Sequence, residues 1–179
     1  MPIYPYQGVV PTIDPTAFVH PDAILIGDVQ VGAYSSIWPG VVIRGDVHYI
    51  RIGVRTNIQD GSILHVARPT EANPEGIPLL IGDEVTIGHQ VTLHACHLHN
   101  RSMVGIGAIV LDGVVVEEQA MVGAGSLVTP GKRVPAGELW MGSPARSVRR
   151  LEERALLGIQ ATNANYVRLA QNYLDSHSC

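Results

Sequence analysis

The stretch VGIGAIVLDGVVVEEQAMVGAGSLVTPGKRV, residues 104–134, places an aliphatic residue at every sixth position: Val104, Val110, Val116, Val122, Val128 and Val134. The same period runs through the N-terminal part at Ile13, Val19, Leu25, Val31, Ile37 and Ile43. It returns after interruptions at Ile52, Ile58 and Leu64, and again at Ile81, Ile87 and Leu93. A period of six is neither the 3.6 of a helix nor the 2 of a single strand. It fits short strands separated by turns, with three hexapeptides making one coil of about 18 residues around a triangular prism. The aliphatic residue of each repeat points into the prism, and glycine or other small residues let the backbone bend at the corners. Successive coils then hydrogen-bond as parallel strands roughly 4.8 Å apart. The expected core is therefore an all-β parallel helix made by one chain.

Interruptions of the period mark where the chain departs from the prism. The spacing predicts three extra residues near 49–51 and one missing residue around 99–103. A longer break, TEANPEGIPLL from Thr70 to Leu80, is rich in acid, proline and glycine and reads as a loop ejected from a corner. After Val134 the pattern fades. Ser143-Pro144 is expected to open a helical segment reaching Leu157, and Asn163 to Tyr173 a second one with its apolar residues near helical spacing. The chain divides on this reading into a β-helix, 1–142, with loop 70–80 ejected, and a helical tail, 143–179, packing on it.

Composition narrows the function. The 179 residues are 46% apolar, enough for one domain with a sizeable core. Nineteen glycines and twelve prolines beside a single phenylalanine describe a chain that turns often and packs aliphatic side chains. A formal charge of −4 with only twelve basic residues argues against nucleic acid or an anionic membrane as partner. Cys96 and Cys179 do not form a secreted disulfide framework. No signal peptide or membrane-length apolar run is evident, so a cytoplasmic home is the expectation.

Eight histidines draw attention to chemistry. His65 follows the inward Leu64 and His94 follows the inward Leu93, so repeat counting places them at one position on adjacent coils, pointing outward. Two imidazoles one strand spacing apart suit a shared metal. His89, in the preceding hexapeptide, falls on another face. If three prisms pack around a threefold axis, the His65/His94 face of one copy meets the His89 face of the next, giving three metal sites at subunit interfaces. Arg44 falls in the His65/His94 column one coil earlier, and Asp60 underlies His89. Across such an interface they would form an ion pair. His97 is expected on a turn or leaning inward, where hydrogen bonding suits it. His20, His48 and His177 have no constellation around them, and Cys96 reads as a packed thiol.

The segments Ile43-Arg44-Gly45-Asp46, Asn57-Ile58-Gln59-Asp60-Gly61-Ser62-Ile63-Leu64-His65 and Gly88-His89-Gln90-Val91-Thr92-Leu93-His94 resemble the gamma-class carbonic anhydrase family of hexapeptide-repeat proteins. The likeness covers about residues 10–150 and extends, through Asn165-Tyr166, to the compact bacterial branch of that family. It implies a left-handed winding, which general crossover rules do not supply. It also implies a homotrimer in which His65, His89 and His94 bind Zn²⁺, with Fe²⁺ or Co²⁺ as alternatives. Arg44, Asp60 and Asp46 are implied as interface residues, the first two also receiving bicarbonate. Gln59 is implied as the hydrogen-bond partner of the reacting solvent molecule, and Tyr166 as a residue at the mouth of the site. The implied reaction is reversible hydration of carbon dioxide. Where the family archetype has a glutamate after the aspartate matching Asp46, this chain has Val47, and its acidic loop is replaced by residues 66–80. Glu71, Glu75 and Tyr166 are thus the candidates for carrying the proton. Hydrolysis of a thioester or other small carbonyl compound, acyl transfer from coenzyme A and a non-catalytic assembly role remain as alternative readings on the same fold.

Overall fold

A computed structural model describes residues 2–176, leaving His177 and Cys179 outside the described residues. The repeat positions do form the core: Leu25, Ile37, Ile43, Ile58, Leu64, Ile87, Leu93, Val104, Val110, Val116, Val122 and Val134 are all fully buried. They line one contiguous apolar column. Around it the chain winds as a parallel β-helix with three faces.

The first face stacks Val42–Arg44, Ile63–His65, Thr92–His94, Ile109–Val110 and Leu127–Val128. The second stacks Phe18–Val19, Ser36–Ile37, Asn57–Ile58, Thr86–Ile87, Met103–Val104 and Met121–Val122. The third stacks Ile50–Ile52, Leu79–Ile81, His97–Leu98, Val115–Val116 and Arg133–Val134. The long strands Ile24–Val31 and Val42–Ile52 continue round a corner and so belong to two faces.

Backbone crowding explains the glycines that follow inward residues. A Cβ on Gly105 would lie 2.6 Å from the Ala124 nitrogen, and one on Gly88 would lie 2.8 Å from the Ile106 nitrogen. Neighbouring coils leave no room for a side chain there. One corner departs from the expectation of small residues. Tyr34, Arg55, Glu84, Arg101 and Gln119 all take positive φ, between 54° and 59°. Each such residue costs about 1–2 kcal/mol, and a backbone N–H bond to the adjacent coil, such as Arg101 N to Asp83 O at 2.9 Å, offsets it. Buried hydroxyls tie the coils together as well: Thr56 Oγ1 donates to Gly82 O at 2.8 Å and Ser62 Oγ to Gly88 O at 3.0 Å.

The interruptions lie elsewhere than the period alone suggested. The three extra residues are not at 49–51. Gly27 pairs with Gly45 and Val29 with Ile50, so Asp28 stands opposite the bulged run Asp46-Val47-His48-Tyr49. The missing residue is not at 99–103. Leu98 is fully buried and pairs with Ile81, so the step shortens between Leu93 and Leu98, at a turn where Ala95 has φ 48°. His97 accordingly neither sits in the turn nor leans inward: it precedes the inward Leu98 on a strand and is half-buried. The ejected loop is clasped by an antiparallel bridge between Ala67 and Ile77, with both N–H···O bonds at 3.0 Å. Leu79 and Leu80 belong to the sheet, because Leu79 fills the core.

At the C-terminal end, Ser143-Pro144 does not open a helix. The chain reverses there, and Ala145–Arg150 pairs antiparallel with Glu138–Gly142, satisfying the edge of the last coil with an arginine-rich strand. A single helix, α1 (Glu153–Ser176), follows and lies on the second face. Its seam gathers aromatic residues: Phe18 and Trp38 of the sheet pack with Tyr166, Ala170 and Leu174 of α1. Asn163 anchors the helix by donating to Arg55 O at 2.9 Å. Among the described residues no helix is long and apolar enough to cross a membrane.

If Leu98 rather than a neighbouring residue is the inward position of the shortened step, Leu98→Ala should lower stability by about 2–5 kcal/mol in a denaturant titration. A cost within about 0.5 kcal/mol, the usual range for surface sites, would contradict that register.

Candidate metal centre

Registry brings His65 and His94 together. They are direct Cα partners on the first face, and Leu64 and Leu93, fully buried beside them, force both imidazoles outward. His65 Nδ1 lies 3.2 Å from His94 Nε2. Each ring's other nitrogen meets a carboxylate. Asp46 Oδ1 is 3.0 Å from His65 Nε2, and Asp112 Oδ1 is 2.5 Å from His94 Nδ1. Asp46 also forms an ion pair with Arg44, which stands in the column one coil below His65.

These contacts set the protonation of the cluster. Burial opposes ionisation of Asp46, but hydrogen bonds from Arg44 and His65 outweigh it and hold the carboxyl below the usual aspartate range. Burial pushes the His65 imidazole down, and the nearby Arg44 charge adds to this against the opposing pull of Asp46. His65 is therefore a neutral imidazole at pH 7, the form in which histidine serves as a ligand.

His89 lies on the second face, as the repeat count places it. Its Nδ1 contacts Asp60 Oδ2 at 2.9 Å, one coil below. Asp60 and His89 open onto a cavity of about 250 Å³ whose far wall is Trp38 and Tyr166. Tyr166 packs edge-on against Trp38, with ring centroids 5.6 Å apart. Burial and the Asp60 charge both raise the Tyr166 phenol, so it keeps its proton at neutral pH. Gln59 is 5% exposed on this side, and its Nε2 donates to Asn57 Oδ1 at 3.0 Å. That leaves the Gln59 carbonyl oxygen free of this bond.

Within one chain the two groups stay apart. Among the described residues no three His, Cys, Asp or Glu side chains gather into a group able to hold a metal ion. Arg44 pairs with Asp46 and Asp60 with His89, so the Arg44–Asp60 pair does not form inside the chain. Glu71 and Glu75 lie exposed on the ejected loop. Glu75 lines a cavity of about 410 Å³ together with Asp46 and His48, and its carbonyl oxygen is 3.1 Å from His48 Nε2.

Two further residues that the repeat count does not single out stand beside the candidate site residues. Asp112 is two residues after the inward Val110, one coil above His94. The analogous offset, Asp60 two after Ile58, was noticed only for its stacking under His89. His48 was set aside, yet its place in the bulge beside Asp46 ties the loop to the first face.

The donor set fits a divalent metal. Tetrahedral Zn–N bonds of about 2.0–2.1 Å require ligand nitrogens about 3.3 Å apart, and His65 Nδ1 and His94 Nε2 are separated by 3.2 Å. His65, His94 and His89 each have one nitrogen held by a carboxylate, leaving the opposite one for a metal. This is the usual arrangement around ligating histidines, in which the carboxylate fixes tautomer and ring orientation.

Comparison with known proteins agrees with the fold and gives the family. The family model described as Bacterial transferase hexapeptide (six repeats) matches residues 11–45. The chain is 48% identical over 168 residues to Gamma carbonic anhydrase 2, mitochondrial, of Arabidopsis thaliana, covering 94% of this chain but 60% of that relative's length. It is also 48% identical over 171 residues to Protein YrdA of Escherichia coli (strain K12), covering 96% and 93% of the two chains. The crystal structure of a hexapeptide transferase family protein from Anaplasma phagocytophilum superposes with a TM-score of 0.89 at 46% identity, covering 96% of this chain and 98% of that one. A regular hexapeptide prism, the histidines in their register and these similarities together make the chain a member of the gamma-class carbonic anhydrase family of hexapeptide-repeat proteins.

Proposed function

We propose that this protein catalyses reversible hydration of carbon dioxide to bicarbonate in the cytoplasm. It would act as a homotrimer whose three metal sites each join His65 and His94 of one copy to His89 of the partner subunit. The observation that carries this reading is the carboxylate-backed imidazole pair, with facing nitrogens 3.2 Å apart and no third ligand gathered to it among the described residues. An ion bound there, Zn²⁺ first and Fe²⁺ or Co²⁺ as alternatives, would supply a Lewis acid and an activated solvent nucleophile near neutral pH.

Exposed apolar residues support the assembly. Ile63 is 49% exposed and Ile109 39% exposed on the His65/His94 face, and they flank Thr92 in one cross-coil column. Surface isoleucines around a half-complete ligand set suit burial against another copy of the chain.

The chain's own residues have distinct tasks in this reading. Asp46, Asp112 and Asp60 hold the three rings in orientation and increase their basicity. Arg44, anchored by Asp46 with its side chain 44% exposed, offers a guanidinium to the bicarbonate anion. Gln59, fixed by Asn57, orients the reacting solvent through its free carbonyl oxygen. Tyr166 remains protonated and so donates a hydrogen bond rather than relaying the proton. Of the two loop carboxylates, Glu75 is the better placed for proton exit, because it shares a cavity with Asp46 and His48. Glu71 is the second candidate.

Stopped-flow carbon dioxide hydration at pH 7–9 tests the reading on protein loaded with Zn²⁺, with Co²⁺, anaerobically with Fe²⁺, and metal-free. Turnover should require metal and fall to the metal-free background in His94→Ala. No turnover with three ions bound per trimer would reject it. Asp112→Asn should weaken metal binding by about 10- to 100-fold in a competition assay, while unchanged affinity would deny Asp112 its supporting role. Ile63→Glu should convert the trimer to monomers in sedimentation and release the metal in the same step; a trimer that persists would place the interface on another face.

A further inference from the structure

The third face carries two histidines that the proposed reaction does not use. The five-residue step from Leu93 to Leu98 puts Leu98 into the core. His97 and His99, one residue to either side, therefore project outward together. Had the six-residue step continued, His99 would have been the inward position. The deletion in the turn thus turns a pair of imidazoles out onto one surface.

Their surroundings set them apart from the other histidines. The His97 and His99 rings lie face to face, with centroids 4.2 Å apart and planes inclined by 23°. Among the described residues no hydrogen bond engages either ring. By contrast, His20, His48, His65, His89 and His94 each have a ring nitrogen in such a bond. Stacking two imidazolium cations would be repulsive, and burial together with the His99 charge lowers the His97 pKa. The nitrogens of both rings are thus uncommitted among the described residues, and His97 is held toward its neutral form. Glu117 is next to His99 in the adjacent coil, since Leu98 pairs with Val116. It supplies negative charge nearby while itself held by Arg133 and by the Ala136 N–H at 2.9 Å.

We propose that His97 and His99 form a two-imidazole site for a late first-row divalent cation, Cu²⁺, Ni²⁺ or Zn²⁺, with water in the remaining positions. Two nitrogens gripping one ion at right angles, with bonds of about 2.0–2.1 Å, bring ring centroids to about 4.5 Å. The observed stack is within a few tenths of an ångström of this. The rings are nearly parallel, inclined by 23°, so each must turn about its soft χ2 torsion to swing one nitrogen toward a common ion. In the proposed trimer the first and second faces meet neighbouring copies, and this pair, on the third, remains open to solvent. The site does not depend on the reaction at His65, His89 and His94.

Calorimetric titration of the untagged full-length chain with Ni²⁺ at pH 7.5 tests it, using His94→Ala as the background so that the interfacial ligand set is broken. His94→Ala should bind one more Ni²⁺ per chain than His94→Ala with His97→Asn and His99→Asn. Either single asparagine should weaken that ion by at least about tenfold, as expected when one arm of a chelate is lost. Equal stoichiometry and affinity in the two chains would overturn the site. In the His94→Ala chain, substoichiometric Cu²⁺ should broaden the imidazole NMR signals of His97 and His99. Broadening that spares both rings would overturn the site.

Discussion

Parallel pairing between coils governs the rest of this molecule. Each strand is only two or three residues long over most of the prism, so no strand is stable alone. Register is held because an aliphatic side chain from each hexapeptide must enter a narrow interior, and a slip of one residue would exchange that side chain for an outward one. The column from Leu25 to Val134 is therefore both the source of stability and the ruler that positions every surface group. His65 and His94 meet because Leu64 and Leu93 are stacked, and Asp60 reaches His89 because Ile58 and Ile87 are stacked.

The ruler also explains why the candidate site residues fall into two separate groups within a single chain. Residues in successive coils at the same repeat position share a face, whereas residues in adjacent hexapeptides of one coil do not. A site drawing on His65, His94 and His89 must therefore span two prisms, and the apolar Ile63 and Ile109 flank the position where a second prism would dock. Arg44 and Asp46 travel with one group, Asp60, Gln59 and Tyr166 with the other. Helix α1 stiffens the second group by burying Trp38 and Tyr166 against each other.

Much of this was legible in the sequence because a strict period converts residue number into position. The inward residues and the stacking of His65 on His94 follow from counting alone. Counting fails where the period breaks, since it gives the total change of phase and not its location. The shift before Val104 could be assigned only by noticing that Leu98 is the better core residue than His99, and the bulge at Asp46–Tyr49 only by seeing Ile50 enter the core. Asp112 was missed because its offset differs from that of its partner: it stands two residues after the inward Val110, whereas His94 stands one after Leu93, so the two meet diagonally across adjacent coils. The arginine-rich strand Ala145–Arg150 was misread as helix because its composition is helical. What makes it a strand is the open edge of the last coil, a tertiary demand with no local signature.

The clasp at Ala67 and Ile77 separates two kinds of inheritance in this fold. Because the loop leaves and returns through one bonded pair of residues, its content does not disturb the phase of the coils before and after it. Residues between the clasp points can be lengthened, shortened or recharged while the histidines keep their spacing. The rim of the proposed site is in this sense a replaceable insert on a fixed gauge, free to change its length and charge without renegotiating the architecture that holds the histidines.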